Sequence, residues 1–216
     1  MNGLTDGQGE QGGLDGLDGL DGLVGGLVAG RTLFVDPGRC IGCQACVAAC
    51  RECDSHKGKA MIHLDYVDPG RSTAAMPTVC MHCADPVAPC AQVCPVDAIE
   101  VDILGIVHSA AEERCIACGN CVHACPFGVP KLDALELLQY KCDLCYDRTS
   151  AGLGPMCATV CPTEALFFGT EEELRAARPH ARASDVFGFG DTTVHTGCAV
   201  VVPAGNQPCT VPGGYE

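Results

Sequence analysis

CIACGNCVHACP (Cys115–Pro126) places four thiols within eleven residues, spaced C-x2-C-x2-C-x3-C and closed by a proline. A disulfide framework separates its partners to close long loops, and thiols three residues apart close almost none. Structural zinc takes four ligands, typically as two separated C-x2-C pairs. Here three thiols share one tight loop and can converge on one face of a small object. Small residues such as Gly119, and Gly42 in a related run, let the backbone come close to it. The fourth thiol, Cys125, is followed by Pro126, where the chain turns and carries it away.

The pattern recurs along the chain. Group one is Cys40, Cys43, Cys46 and Cys50; group two is Cys80, Cys83, Cys90 and Cys94; group three is Cys115, Cys118, Cys121 and Cys125; group four is Cys142, Cys145, Cys157 and Cys161. Groups two, three and four end in Cys-Pro, at Pro95, Pro126 and Pro162, whereas Arg51 follows Cys50. In the bacterial ferredoxin run the fourth cysteine binds the other cluster of a pair. That reading expects four [4Fe-4S] clusters held by sixteen of the nineteen cysteines.

Twenty residues separate Cys94 from Cys115 and contain AIEVDILGIVHS (98–109), read as a hairpin around Leu104-Gly105. This pairs group two with group three. Cys80, Cys83, Cys90 and Cys125 are then one set, and Cys115, Cys118, Cys121 and Cys94 another. Groups one and four flank that unit. By the same exchange Cys40, Cys43, Cys46 and Cys161 form a third set, and Cys142, Cys145, Cys157 and Cys50 a fourth. The rival pairing, one with two and three with four, is less natural because the sixteen residues between Cys125 and Cys142 leave little room for a hairpin.

The expected fold is α+β: two bacterial-ferredoxin-like two-cluster units, one inserted in the other, with short β-hairpins and short helices. Residues 31–79 and 126–169 form the outer unit, and 80–125 the inserted one. Residues 1–30 are a low-complexity Gly/Leu/Asp extension. Its Gly-Leu-Asp triplets oppose helix and strand alike, and three short copies argue against a calcium-binding β-helix. RTLFVD (31–36), MIHLDYV (61–67), ALFFG (165–169) and CAVVVP (198–203) read as strands. EEELRAAR (171–178) reads as a surface helix, acidic first and basic last. It opens a C-terminal helix and partner-contacting tail (170–216), otherwise read as Gly-rich loop.

Composition agrees with a scaffold held by metal. There is no Trp, with six Phe and four Tyr, so cysteine stands where large aromatics usually fill a core. The net charge of −14 argues against nucleic-acid binding. No apolar run approaches the roughly 18 residues of a membrane span, and the N-terminus shows no basic region followed by an apolar one. The expectation is a cytoplasmic protein, or one held at the cytoplasmic membrane face by partners; the alternative is export with a partner that carries the signal.

The motifs CIGCQACVAACRE, CMHC…PCAQVCPVDAI, CIACGNCVHACPFGVPK and KCDLCYDR…CATVCPTEAL resemble the four-cluster iron–sulfur (beta) subunits of complex oxidoreductases. These serve formate dehydrogenases, nitrate, dimethyl sulfoxide, thiosulfate and polysulfide reductases and related hydrogenase components. The likeness runs from about Arg31 to Gly169. The same ligand exchange is implied by the resemblance. It also implies an electron-transfer subunit with no catalytic residues of its own. The implied partners are a large catalytic subunit with a molybdenum or tungsten pterin, and a quinone-reactive membrane subunit or soluble carrier. The alternatives are a hydrogenase subunit or an independent multi-cluster ferredoxin. Six residues separate Cys83 from Cys90, more than the common form has, so the loop there is expected to be enlarged. Some members replace a group-three cysteine with an aromatic residue and hold a three-iron cluster; Cys118 is present here. A C-terminal anchor helix, found in some formate dehydrogenase subunits, is not expected.

Outside the groups stand Cys53, read as a buried thiol, and Cys198 and Cys209, free unless the protein is exported and they pair. Lys141 and Arg148 beside group four are candidate cations for an anionic cluster. His82 and His123 read as packing or hydrogen-bonding residues. No phosphate-binding loop or dinucleotide fingerprint is present; GFGDTT (188–193) is a Gly-rich turn.

Overall fold

The computed structural model describes residues 28, 30–68, 71–72 and 74–203. The Gly-Leu-Asp triplets and Cys209 lie outside the described residues.

Strand β1 (Thr32–Val35) is the centre of the frame. Its β-branched and aromatic side chains are buried on both faces, as suits an inner strand. Leu33 and Val35 join the main core among the cysteines, while Phe34 points to a second core with Leu174, Ala199 and Val201. This two-residue alternation sends one sheet face to the metal-binding loops and the other to a helix. Burying Phe34 contributes about 2–3 kcal/mol.

Two strands flank β1. On one side runs β7 (Leu166–Gly169), antiparallel, with Thr32 opposite Gly169 and Val35 opposite Leu166. On the other runs β9 (Thr192–Pro203), parallel, with Phe34 opposite Ala199. β8 (Ala181–Phe189) returns beside β9 as a hairpin, and β4 (Cys83–Asp85) also pairs with β9. β1 precedes group one and β7 follows group four, so the two ends of the cysteine-bearing chain meet in one sheet.

The hairpin corrects the reading of 181–197 as loop. Gly188, Gly190 and Gly197 dilute the β signal, and half of β8 is exposed, so the strand pattern is weak in sequence. β9 bulges between its pairings to Ser184 and Val186. In that bulge Gly197 N donates to the Met81 and His82 carbonyls, and Cys198 N donates to Met81 O at 3.1 Å. The C-terminal hairpin thereby grips the group-two loop.

Helix α6 (Glu171–Ala177) covers the second core through Leu174. Its start is a capping box: Thr170 Oγ1 accepts from Glu173 N and Glu173 Oε2 accepts from Thr170 N, a device contributing about 1 kcal/mol. Just past its end, buried Arg178 donates to Asp36 Oδ2 at 3.0 Å and to the Glu164 carbonyl.

Short helices carry five of the cysteines: Cys46, Cys50, Cys90, Cys121 and Cys157. α1 (Ala45–Arg51) packs against α5 (Met156–Thr159), and α2 (Pro89–Gln92) against α3 (Asn120–Ala124). Two small hairpins lie between groups: β2 (His63–Tyr66) with β3 (Ala75–Thr78), and β5 (Lys131–Asp133) with β6 (Leu138–Tyr140). The second occupies the spacer between Cys125 and Cys142, so room for a hairpin does exist there and that objection to the rival pairing falls. Asp133 makes it possible by accepting from Leu135 N and Glu136 N, which closes the turn in few residues. The hairpin expected at 98–109 is reduced to a single bridge, Val101 opposite Val107. Asp102 takes the Leu104 and Ile106 N–H groups with its side chain, which competes with a longer ladder. No helix among the described residues is long and apolar enough to cross a membrane.

Candidate metal centres

Each group opens with the same local bend. The residue before the second cysteine has positive φ in all four: Gly42 at 69°, His82 at 49°, Ala117 at 53° and Leu144 at 63°. For a side-chain-bearing residue this conformation costs about 1–2 kcal/mol. It curls the loop so that the flanking thiols converge. Gly42 also sits under Tyr66, whose Cε1 would lie 3.3 Å from an added Cβ.

Three hollows of similar size result, with about 290–330 Å³ of space between atoms. One is walled by Cys40, Cys43, Cys46 and Cys161. A second is walled by Cys80, Cys83, Cys90 and Cys125. A third is walled by Cys94, Cys115, Cys118 and Cys121. Cys50, Cys142, Cys145 and Cys157 are all buried, close enough that the charges of Cys142, Cys145 and Cys50 act on Cys157. Each gathering draws its fourth thiol from another group.

The donor set fits an iron–sulfur cluster. Burial pushes the Cys46 thiol up to about 11, and Cys83 and Cys142 up to about 12, with neighbouring thiols adding to the rise. Cys145 and Cys157 rise for the same reasons. Such thiols stay protonated at neutral pH unless a cation replaces the proton, which is what iron ligation does. The rest of the walls is mostly apolar: Val96, Ala98 and Ile99 in one hollow, with Gln139, and Val107, Phe127 and Val129 in another, with Lys141.

The trailing cysteines separate into two kinds. After Cys94, Cys125 and Cys161 the third residue onward, Asp97, Gly128 or Glu164, has positive φ and donates its N–H back to the cysteine carbonyl. Ala98 N also donates to Cys94 Sγ at 3.2 Å. After Cys50 the third residue is Cys53 with φ −71°, leading into a short 3-10 helix, Asp54–His56. Buried His56 reaches back: its Nδ1 lies 2.8 Å from Cys50 O and 3.2 Å from Cys50 Sγ, and its Nε2 lies 3.2 Å from Asp143 Oδ1. Burial opposes charge on this ring, but Asp143 and Cys50 outweigh it and push its pKa up to about 11. Met61 N completes the cradle at 3.2 Å from Cys50 Sγ. Sequence reasoning missed His56 and Asp143; the missing proline after Cys50 was the signal that another device must hold that turn.

Other expected residues fall variously. Lys141 is buried, but its ammonium faces Cys80 of group two at 3.5 Å. Arg148 binds the Gly154 carbonyl at 3.1 Å, so it ties a loop. His82 is buried and accepts from Val107 N at 3.0 Å; His123 is exposed. Cys53 is buried beside Cys145 and His56, with Asp147 3.8 Å from its sulfur. Cys198 is a fully buried thiol in the main core.

Loops that gather thiols by fours into apolar hollows, on a small α+β frame, define a ferredoxin-like iron–sulfur protein. A 4Fe-4S dicluster domain profile matches residues 72–171, and a 4Fe-4S binding domain profile matches residues 33–52. The thiosulfate reductase electron transfer subunit PhsB of Salmonella typhi is 40% identical over 151 residues, 66% of this chain and 77% of that one. The formate dehydrogenase-O iron-sulfur subunit of Escherichia coli K12 is 33% identical over 162 residues, 65% of this chain and 53% of that subunit. The ferredoxin-like protein YdhX of the same strain is 35% identical over 144 residues, 63% and 64% of the two chains. The chain belongs to this family of 4Fe-4S electron-transfer subunits, though it spans only about half the length of the formate dehydrogenase subunits it matches.

Proposed function

We propose that this chain is the electron-transfer subunit of an oxidoreductase complex and holds four [4Fe-4S] clusters, one in each gathering of thiols. The observation that carries the reading is the exchange of fourth cysteines: Cys161 lies with Cys40, Cys43 and Cys46, and Cys125 with Cys80, Cys83 and Cys90. The nested architecture draws support from β1 on β7 and α1 on α5 around the outer groups, and from α2 on α3 between the inner ones. When bound, the clusters supply one-electron carriers; the chain sets their spacing, charge and exposure.

The links between sites give an order. Cys94 and Cys125 tie the group-three and group-two sites, Lys141 stands between Cys80 and the Cys142 carbonyl, and Cys50 and Cys161 tie the group-four and group-one sites. The relay therefore runs three, two, four, one. Its two ends are the loops with exposed Cys118 and Cys43, each beside an exposed isoleucine, Ile116 and Ile41. A relay with two open ends suits two partners. The resemblance supports a large catalytic subunit with a molybdenum or tungsten pterin at one end, and a quinone-reactive subunit or soluble carrier at the other.

Anaerobic purification from native extract tests this. The expected result is roughly sixteen irons per chain, with matching acid-labile sulfide, and co-elution with a large subunit containing molybdenum or tungsten. Zinc without sulfide would overturn the cluster reading. Elution of the iron-loaded chain alone would overturn the subunit reading in favour of an independent ferredoxin.

A further inference from the structure

Lys141 is buried to 1% exposure in a hollow lined with thiols. Its side chain lines the same hollow as Cys80, Cys83, Cys90 and Cys125. Its ammonium lies 3.5 Å from Cys80 Sγ and donates to the Cys142 carbonyl at 3.0 Å and to the Val107 carbonyl. The two carbonyls hold the head group in place, and the sulfur takes the remaining donor direction. A lysine has three donors, and all three are used. Other ionisable groups around it are Cys90 of the same hollow, His82, Asp143 and Cys198. Asp143 is already engaged by His56, and Cys80 is the sulfur within hydrogen-bonding distance of the ammonium.

Resting on the reading above, we infer that Lys141 is the positioning cation of the Cys80–Cys83–Cys90–Cys125 site, raising the reduction potential of the cluster bound there more than that of any other. A cubane gains one negative charge on reduction, and a fixed positive charge against a ligating sulfur stabilises that form. The contact also sits at the junction of the inserted and outer units, because the residue that faces Cys80 immediately precedes Cys142. Lys141 thus tunes the middle of the relay, where transfer crosses between the two units.

The experiment is potentiometric EPR titration of the anaerobically prepared, cluster-loaded full chain. Lys141→Met and Lys141→Gln are compared with the parent, and Cys83→Ala identifies which resonance belongs to this site. The expected result is a lower midpoint for that resonance in both neutral variants, with smaller shifts of the other three and the iron content unchanged. No movement, or a larger movement of a different resonance, overturns the inference. If the neutral variants fail to load this site, Lys141→Arg decides: restored loading shows that the charge is required, and equal failure shows that Lys141 only fills space. A parent protein without cluster iron would instead refute the function proposed above.

Discussion

The two kinds of trailing cysteine differ in where their support comes from. Cys94, Cys125 and Cys161 are each followed by proline and a left-handed residue three positions on, which bonds back to the cysteine. Their turns are written in four consecutive residues. Cys50 has no such turn. Its sulfur and carbonyl are held by His56 and Met61, and His56 in turn by Asp143 on the far side of the chain. One metal-binding geometry is thus reached by local turn chemistry in three places and by a long-range buried network in the fourth. The second solution joins the start of the folded chain to group four, which no proline could do.

The largest effect is expected at Cys50 itself. On the ligand sets proposed above, Cys50→Ala takes a thiolate from the Cys142–Cys145–Cys157 site, and iron is expected to fall by about a quarter, from roughly sixteen to twelve per chain. The EPR signal of the Cys40–Cys43–Cys46 site persists; its loss instead of the group-four signal would undo the nested assignment. His56→Ala comes next. It takes His56 from half-buried Asp143, which keeps the Cys145 N–H, and opens the turn, costing roughly 1–3 kcal/mol, seen as a lower guanidinium midpoint for loss of cluster absorbance. Pro126→Ala is milder, at under about 1 kcal/mol, because Gly128 and its hydrogen bond to Cys125 remain. An equal effect from these two variants would erase the distinction. Cys53→Ser is the smallest change: iron content and all EPR signals are retained, since Cys53 lies beside the group-four thiols without completing any set of four. Loss of a centre in that variant would make Cys53 a ligand.

Sequence spacing reveals the thiol gatherings most directly in groups one and three, where three cysteines fall within seven residues and distance along the chain is nearly distance in space. β1, β7 and α6 are legible for a similar reason: each has its own strand or capping signal over a few residues. What escaped the sequence depends on distant contacts. β9 is a central strand only because β8, β1 and β4 all pair with it, and its bulge at Gly197 reads as loop until Met81 and His82 are placed opposite. Lys141 sits next to Cys142 in sequence yet serves Cys80, sixty-one positions away. His56 carries no pattern at all; only the absence of proline after Cys50 hinted that something had to replace it.

Anomalous diffraction at the iron edge from anaerobic crystals would locate the iron centres and the sulfurs that hold them. Four separate four-iron centres are expected, with Cys50 touching the one bound by Cys142, Cys145 and Cys157, and Cys161 touching the one bound by Cys40, Cys43 and Cys46. Fewer than four centres, or Cys50 on the same cluster as Cys40, Cys43 and Cys46, would contradict that arrangement.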